Sequence, residues 1–511
     1  MAVSSRVCRV VGTSAHFTNL FRIFALITHW RLHSLPLLII AGHSAFAEEE
    51  ILLSSRPNIL LIAIDDLNDW VGCLGGHPQA STPNIDRLAA RGTLFSNAHC
   101  QAPVCQPSRA SLLTSTYPSS SGLYFLNPGI DASPVTKQKK TLPQRFADEG
   151  YRVLGAGKIF HVINGPVFSK LGKYGGGFGH FGPQPKEKIS QPHGHPLWDW
   201  GAYPDSNNKM PDTQIANWAI KQLETHDLEP FFLAVGFYRP HVPMLVPPDW
   251  FDQHPRGEII TPPIYSGDVD DLSRYARDLT SLRHVAPLHE WIIKNKQWQH
   301  AIQSYLACCS FVDACVGDVL DALDKSPYRD NTIIVLFSDH GFHLGEKQRW
   351  AKRSLWEDGT RVPLIIAGAE LPKNQMCLQP AGLIDIYPTL LDLCKLPADH
   401  QLEGTSLVPQ ILEPSKAKHP VRTTFGPGNH AIRSRDWRYI RYRDGSEELY
   451  DHRNDPHEWN NLATNPQNQS VIKMHRKYLP VAEQPILGNG STGHQAFNAS
   501  ESQRLKNTQG N

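Results

Sequence analysis

Two acidic strand ends and one cysteine are the residues whose types could do chemistry together. Asp65-Asp66 closes the apolar run Arg56-Pro-Asn-Ile-Leu-Leu-Ile-Ala-Ile, and Asp339-His340 follows a second such run at 331–337. Runs of this kind suit strands buried on both faces of a parallel sheet, and an open α/β sheet binds ligands at the carboxyl ends of its strands. The two pairs are therefore expected to converge although they are far apart in sequence. Three carboxylates that close need a cation. Oxygen-dominated ligation favours Ca²⁺ or Mg²⁺, and the single imidazole leaves Mn²⁺ open. Asp65-Asp66 alone also fits a strand-end turn or a helix cap; the second acidic strand end is what argues for a metal.

Cys105-Gln-Pro-Ser-Arg109 leads into the apolar-periodic stretch Ala-Ser-Leu-Leu-Thr-Ser115. Pro at a first-turn position places Cys105 at a helix N-terminus, where free N–H groups and the dipole favour negative charge. This reads as an anion site with a nucleophile position in it. The same residues also fit a buried thiol ahead of a Pro-started helix.

The elements that must position these groups alternate. Thr82-Pro83 with Gly92 brackets a helix, a strand is expected near 93–98, and helices are expected over 213–223 and 298–323, with a strand at 230–236. Alternation of this kind predicts an α/β fold: a large mixed, mainly parallel sheet flanked by helices. Two long insertions, 164–211 and 247–296, are expected to cover or shape the site. Asp444-Gly445 between two apolar-alternating segments marks a hairpin, so a smaller antiparallel domain is placed at 416–482, after a catalytic domain at 56–415. The polar tail, 487–511, is expected to be disordered.

Composition narrows the function. The chain has 511 residues, 50 Lys+Arg and 49 Asp+Glu, and a formal charge of +1 leaves no footprint for nucleic acid. Nine irregularly spaced cysteines do not form a disulfide framework. Arg-bearing residues, the apolar run 35–41 and Ala45-Phe-Ala47 ahead of an acidic stretch are the parts of an export signal, with cleavage expected after Ala47. The apolar runs are too short to span a bilayer, so stable membrane insertion is not expected, and the protein is placed in the periplasm or outside the cell.

Cys-x-Pro-Ser-Arg with its surroundings resembles the signature of the sulfatase family, of alkaline phosphatase-like fold. The resemblance extends through Asp65-Asp66, Thr82-Pro-Asn-Ile-Asp86, Gly157-Lys-Ile-Phe-His161, Arg239-Pro-His241, Ser338-Asp-His-Gly341, Trp350-Ala-Lys352 and Glu448-Leu-Tyr-Asp451, and looks most like the iduronate-2-sulfatase branch. It implies that Cys105 is oxidised to formylglycine by a formylglycine-generating enzyme. It also implies one Ca²⁺ on Asp65, Asp66, residue 105, Asp339 and His340. Many sulfatases carry Asn where this chain has His340, although the branch it resembles has His.

The implied reaction fits physical need. A sulfate monoester repels nucleophiles, so its site must neutralise charge and align attack. The hydrate of formylglycine offers one hydroxyl to attack sulfur and a second whose deprotonation expels sulfate. By the same resemblance Arg109 holds this group and the carboxylates in place, Lys158 and Lys352 supply positive charge around the sulfate, Lys158 and His161 reach the hydrate with His161 the base for elimination, Lys352 contacts the sulfate from the opposite side, and His241 serves the leaving oxygen. Alone, Gly-Lys-x-x-His is a solvated turn, Arg-Pro-His a loop histidine and Trp-Ala-Lys a surface stripe; their joint occurrence in order gives them weight. The expected substrate is an O-sulfate ester of a sulfated carbohydrate. Two readings compete with it: a phosphoester or phosphonate hydrolase on this scaffold, and a catalytically silent carbohydrate-binding relative. His193 and His195, in the first insertion, are expected on a surface loop, with the lining of a substrate pocket as the alternative.

Overall fold

In the computed structural model, which describes residues 56–509 apart from 163, 180, 193–194, 226–229, 281–284 and 369, every residue of Asn58–Ile64 (β1) is buried. The expected export segment at 1–47 and His193 lie outside the described residues. The main elements that follow are helix Pro83–Ala89 (α1), strand Gly92–Phe95 (β2), helix Cys105–Thr114 (α2) and strands Arg152–Gly157 (β3) and Gly172–Tyr174 (β4). Next come helix Pro211–Leu223 (α3), strand Phe231–Phe237 (β5), helix Trp298–Lys325 (α4), strands Thr332–Ser338 (β6), Leu364–Gly368 (β7) and Gln375–Cys377 (β8), and helix Ile386–Leu393 (α5). The eight strands form one sheet in the order β8-β2-β7-β6-β1-β5-β3-β4. Only β7 runs antiparallel to its neighbours β2 and β6. The mixed, mainly parallel sheet expected from the alternation is the one observed.

Because strand side chains alternate, β1 feeds two cores at once. Leu60, Ile62 and Ile64 pack with α3 and α4 on one face, while Ile59, Leu61 and Ala63 pack with α2 and α5 on the other. Burial on both faces explains why β1 and β6 read as continuous apolar runs.

A second sheet holds Val421–Thr424 (β9), His430–Arg433 (β10), Trp437–Arg441 (β11) and Glu447–Asp451 (β12) in consecutive antiparallel order. The β11–β12 turn passes through Gly445 at φ +97, a conformation that glycine adopts without strain. This sheet is tied to the catalytic part by buried charge. Arg438, fully buried, pairs with Glu357 and, at 2.6 Å, with Glu458, while its Nη1 donates to the Leu355 carbonyl at 2.9 Å.

The tail is a correction to the expectation of disorder. Thr492–Gln509 (α6) is helical, with Ala496 and Phe497 buried; the Phe497 ring lies 5.9 Å from that of Phe125, and Glu501 pairs with Arg443 at 2.9 Å. Average polarity misled because docking needs only one apolar anchor and a few paired charges.

Removing Arg438 leaves Glu357 and Glu458 buried beside fewer cations, so Arg438→Ala should cost about 3–5 kcal/mol of stability. Urea unfolding at neutral pH measures it; a loss within error of zero would mean that this network does not hold the two sheets together.

Candidate active site

Strand register builds the site. Ile64 pairs with Phe237 on one side and Ser338 on the other, so the residues that follow these strands emerge together. Asp65 N–H donates to the Phe237 carbonyl at 3.1 Å, and Asp339 N–H donates to the Ile64 carbonyl at 3.3 Å. Asp66 turns into the left-handed region at φ +65, where a non-glycine residue carries about 1–3 kcal/mol of strain. Two bonds hold it there: its N–H donates to Asp339 Oδ1 at 3.2 Å, and its carbonyl accepts from the Tyr305 hydroxyl at 2.7 Å.

Helix α2 brings Cys105 to these carboxylates and is buried along its whole length. One turn on, Arg109 donates from Nε to Asp339 Oδ2 at 2.8 Å and from Nη2 to Asp65 Oδ1 at 3.3 Å, and Nη1 donates to the Lys158 and Ile159 carbonyls. Ser108 Oγ donates to the Asp339 carbonyl. At the end of β3, Gly157 has φ +74, and a Cβ there would fall 2.0 Å from the Gly236 carbonyl oxygen. Only glycine permits this turn, which sends Lys158 Nζ to Asp65 Oδ2 at 2.5 Å. From the opposite side Lys352 Nζ donates to Asp66 Oδ1 at 2.6 Å and to Cys105 Sγ at 3.1 Å.

His340 Nδ1–H donates to the Gly341 carbonyl at 3.0 Å, which turns Nε2 towards Cys105 Sγ at 3.2 Å and Asp66 Oδ1 at 3.3 Å. His241 is fixed in the same way, with Nδ1–H on the Val242 carbonyl at 2.6 Å and Nε2 3.9 Å from Asp66 Oδ2. His161 lines the same cleft, and its Nδ1 is buried without a hydrogen-bond partner. The cleft encloses about 690 Å³, with Asp65, Asp66, Cys105, Lys158 and Lys352 at its floor. All the residues singled out for the site therefore meet in one place, Arg109, Asp339 and His340 lying beneath the cleft lining. The first insertion, through Phe181, His195 and Trp198, walls the cleft; the second gives only Val285 among the described residues. His195, expected on a surface loop, is buried in that wall.

Three buried carboxylates face three buried cations, and the balance sets the charge states. Burial works against ionisation of Asp65, but Lys158, His241, Arg109 and Lys352 outweigh it and hold the carboxyl well below its usual range. Asp339 goes the other way, pushed up to about 6 because burial is only partly offset by Arg109 and His340. Burial and Asp65 would raise the Cys105 thiol, yet Lys158, Lys352 and His340 bring it well below the ordinary thiol range. Burial, with Lys158 beside it, lowers His161 to about 4, so its ring is neutral at physiological pH.

The donor set suits a hard divalent cation. Donor atoms of Asp65, Cys105, Asp339 and His340 lie within 4.8 Å of one another, as do those of Asp65, Asp66, Cys105 and His241. Asp66 Oδ2 is buried with no hydrogen-bond partner, an acceptor left over for an ion. Sequence reasoning missed Ser108, Tyr305 and Arg353. Ser108 lies inside the Cys-x-Pro-Ser-Arg motif and was legible there; Tyr305, mid-helix and 239 residues from Asp66, carries no local signal.

A deep cleft floored by cations and by a helix-borne nucleophile position, at the carboxyl edge of this sheet, defines a hydrolase of anionic esters. The chain belongs to the sulfatase family: residues 57–396 match the family model described as Sulfatase, and 345–484 match that of the N-sulphoglucosamine sulphohydrolase C-terminal region. It is 42% identical over 441 residues to a sulfatase of Formosa agariphila, covering 83% of this chain and 86% of that one. It is 33% identical over 427 residues to human iduronate 2-sulfatase, covering 77% of this chain and 76% of that one. Its fold is similar to the solved phosphonate monoester hydrolase of Agrobacterium radiobacter, with a TM-score of 0.64 at 20% identity, over 88% of this chain and 96% of that one. The protein is a sulfuric ester hydrolase of iduronate-2-sulfatase type, and its family implies a metal and a formylglycine at this buried cluster.

Asp339→Asn should lose bound metal and ester hydrolysis together. Elemental analysis of the dialysed variant checks this: full metal occupancy would remove Asp339 from the ligand set.

Proposed function

We propose that the protein is an exported sulfatase that removes O-sulfate groups from a sulfated carbohydrate, using a formylglycine made from Cys105 and one Ca²⁺. The observation that carries this reading is Lys352 Nζ, which touches both Cys105 Sγ and Asp66 Oδ1 and so joins nucleophile position, carboxylates and cationic floor at one point. The leader-like segment at 1–47 supports export, and the sugar acid named in the human relative supports a carbohydrate substrate.

An ion held by Asp65, Asp66, residue 105, Asp339 and His340 would supply Lewis-acid charge against the sulfate oxygens. Formylglycine at 105 would supply, as its hydrate, both the attacking hydroxyl and the hydroxyl that drives sulfate out. Lys158 and Lys352, which lie on Asp65 and Asp66, would bind sulfate oxygens once an ion took up those carboxylates. Arg109, bonded to both Asp65 and Asp339, keeps the carboxylates and the start of α2 in register. His161, neutral and with a free nitrogen, takes the proton at residue 105 in the elimination step. His241 serves the leaving oxygen from Nε2, because Nδ1 is already committed to Val242.

The phosphonate hydrolase of like fold keeps a phosphoester or phosphonate activity as the second reading. A silent binding protein is disfavoured, since binding sugar needs neither a helix-borne nucleophile position nor a base beside it.

Paired aryl sulfate and aryl phosphate substrates separate the first two readings; sulfate should be preferred, and a reversed preference would overturn the proposal. Peptide mass spectrometry of residues 92–109 from the native host should show thiol-to-aldehyde conversion at Cys105, and Cys105→Ala should abolish turnover in a folded protein. An intact thiol in active enzyme would remove formylglycine from the mechanism. His241→Ala should slow sugar sulfates at least about tenfold more than aryl sulfates, whose leaving groups need no proton. Equal losses would remove its acid role.

A further inference from the structure

Arg353 is a buried cation that makes no ion pair among the described residues. The residue is 4% exposed, and its Nε and Nη1 are buried with no hydrogen-bond partner; Asp66 and Cys105 act on it only through space. Other buried arginines here are engaged: Arg109 bridges Asp65 and Asp339, Arg239 donates to the Leu245 and Phe181 carbonyls, and Arg438 pairs with Glu357 and Glu458. Leaving a guanidinium buried and unpaired costs several kcal/mol, so the group is kept for a partner that arrives.

Where that partner arrives is set by the backbone. Arg353 lines the same cleft as Cys105 and Lys352. It follows Lys352 directly, and its own N–H donates to the Pro103 carbonyl at 3.0 Å, two residues before Cys105. The Lys352 and Arg353 carbonyls both accept from Arg349 Nη2, at 2.6 and 3.2 Å, which clamps the turn. Ala351 at φ +72 and Arg353 at φ +76 are left-handed without being glycine; strain of this kind on both sides of Lys352 aims two successive cations into one cleft. Burial lowers Arg353 only to about 10, so it stays charged at physiological pH.

On the reading above, Lys158 and Lys352 answer the charge of one sulfate. We propose that Arg353 forms a subsite for a second oxyanion on the substrate, a carboxylate or a further sulfate carried beside the scissile ester. The planar guanidinium suits either group through paired N–H donors. This deepens the carbohydrate-sulfatase reading and rests on it.

The test is competition against hydrolysis of p-nitrophenyl sulfate by the mature enzyme. Three sugars serve as probes: a monosulfated uronic acid, a disulfated hexosamine and a monosulfated hexose with no second acidic group. One of the two dianionic sugars should inhibit roughly 10- to 100-fold more tightly than the monoanionic one, as a charge-assisted bond pair gives, and which one does so names the oxyanion. That advantage should vanish in Arg353→Gln and survive in part in Arg353→Lys, each inhibition constant being compared with the same variant's constant for the monoanionic sugar. Equal inhibition of the wild type by all three sugars overturns the subsite alone, as does an equal loss for all three in Arg353→Gln. Failure of every sugar to compete, with the aryl sulfate still hydrolysed, overturns the carbohydrate reading and the subsite with it.

Discussion

The cost of burying three carboxylates at the end of a parallel sheet governs this molecule. Neighbouring strands lie about 4.8 Å apart, so Asp65, Asp66 and Asp339 cannot separate without breaking the central ladder. Each buried charge costs several kcal/mol unless it is met. Compensation must come to them, and it comes from three separate segments: Arg109 from α2, Lys158 from the β3 turn and Lys352 from the loop after β6. A cation site, an anion site and a lowered thiol are three results of that one electrostatic problem.

The loop that carries Lys352 and Arg353 depends on the C-terminal sheet. It begins after His340 and ends at Trp356 and Glu357, whose side chains are held by Glu448 and by Arg433 and Arg438. Midway, Lys347 pairs with Asp268 at 2.6 Å. The positive φ values at Lys347, Gln348, Ala351 and Arg353 persist because both ends and the middle are pinned. The small sheet therefore acts on the chemistry at a distance, by holding a strained loop in place.

Much of this was legible in the sequence, for identifiable reasons. The central strands announce themselves because burial on both faces leaves no room for polar alternation, and their acidic ends stand out against that background. Cys105 and Arg109 were legible through one local motif. Arg353 was passed over because a cation beside Lys352 looks like surface charge, and only burial shows that it lacks a partner. Tyr305 supports Asp66 through a contact between α4 and β1 that no local pattern encodes. The tail was misjudged because composition averages over residues, whereas Ala496 and Phe497 dock as individuals.

The burial of α2 has a consequence in time. Cys105 is buried against Asp339 and His340 after β6, against Lys352 of the cationic loop, and in a cleft whose wall includes Thr492, all made later in the chain than the cysteine itself. During synthesis the thiol therefore exists for an interval before the parts that will enclose it. An enzyme that alters this side chain would have that interval to work in.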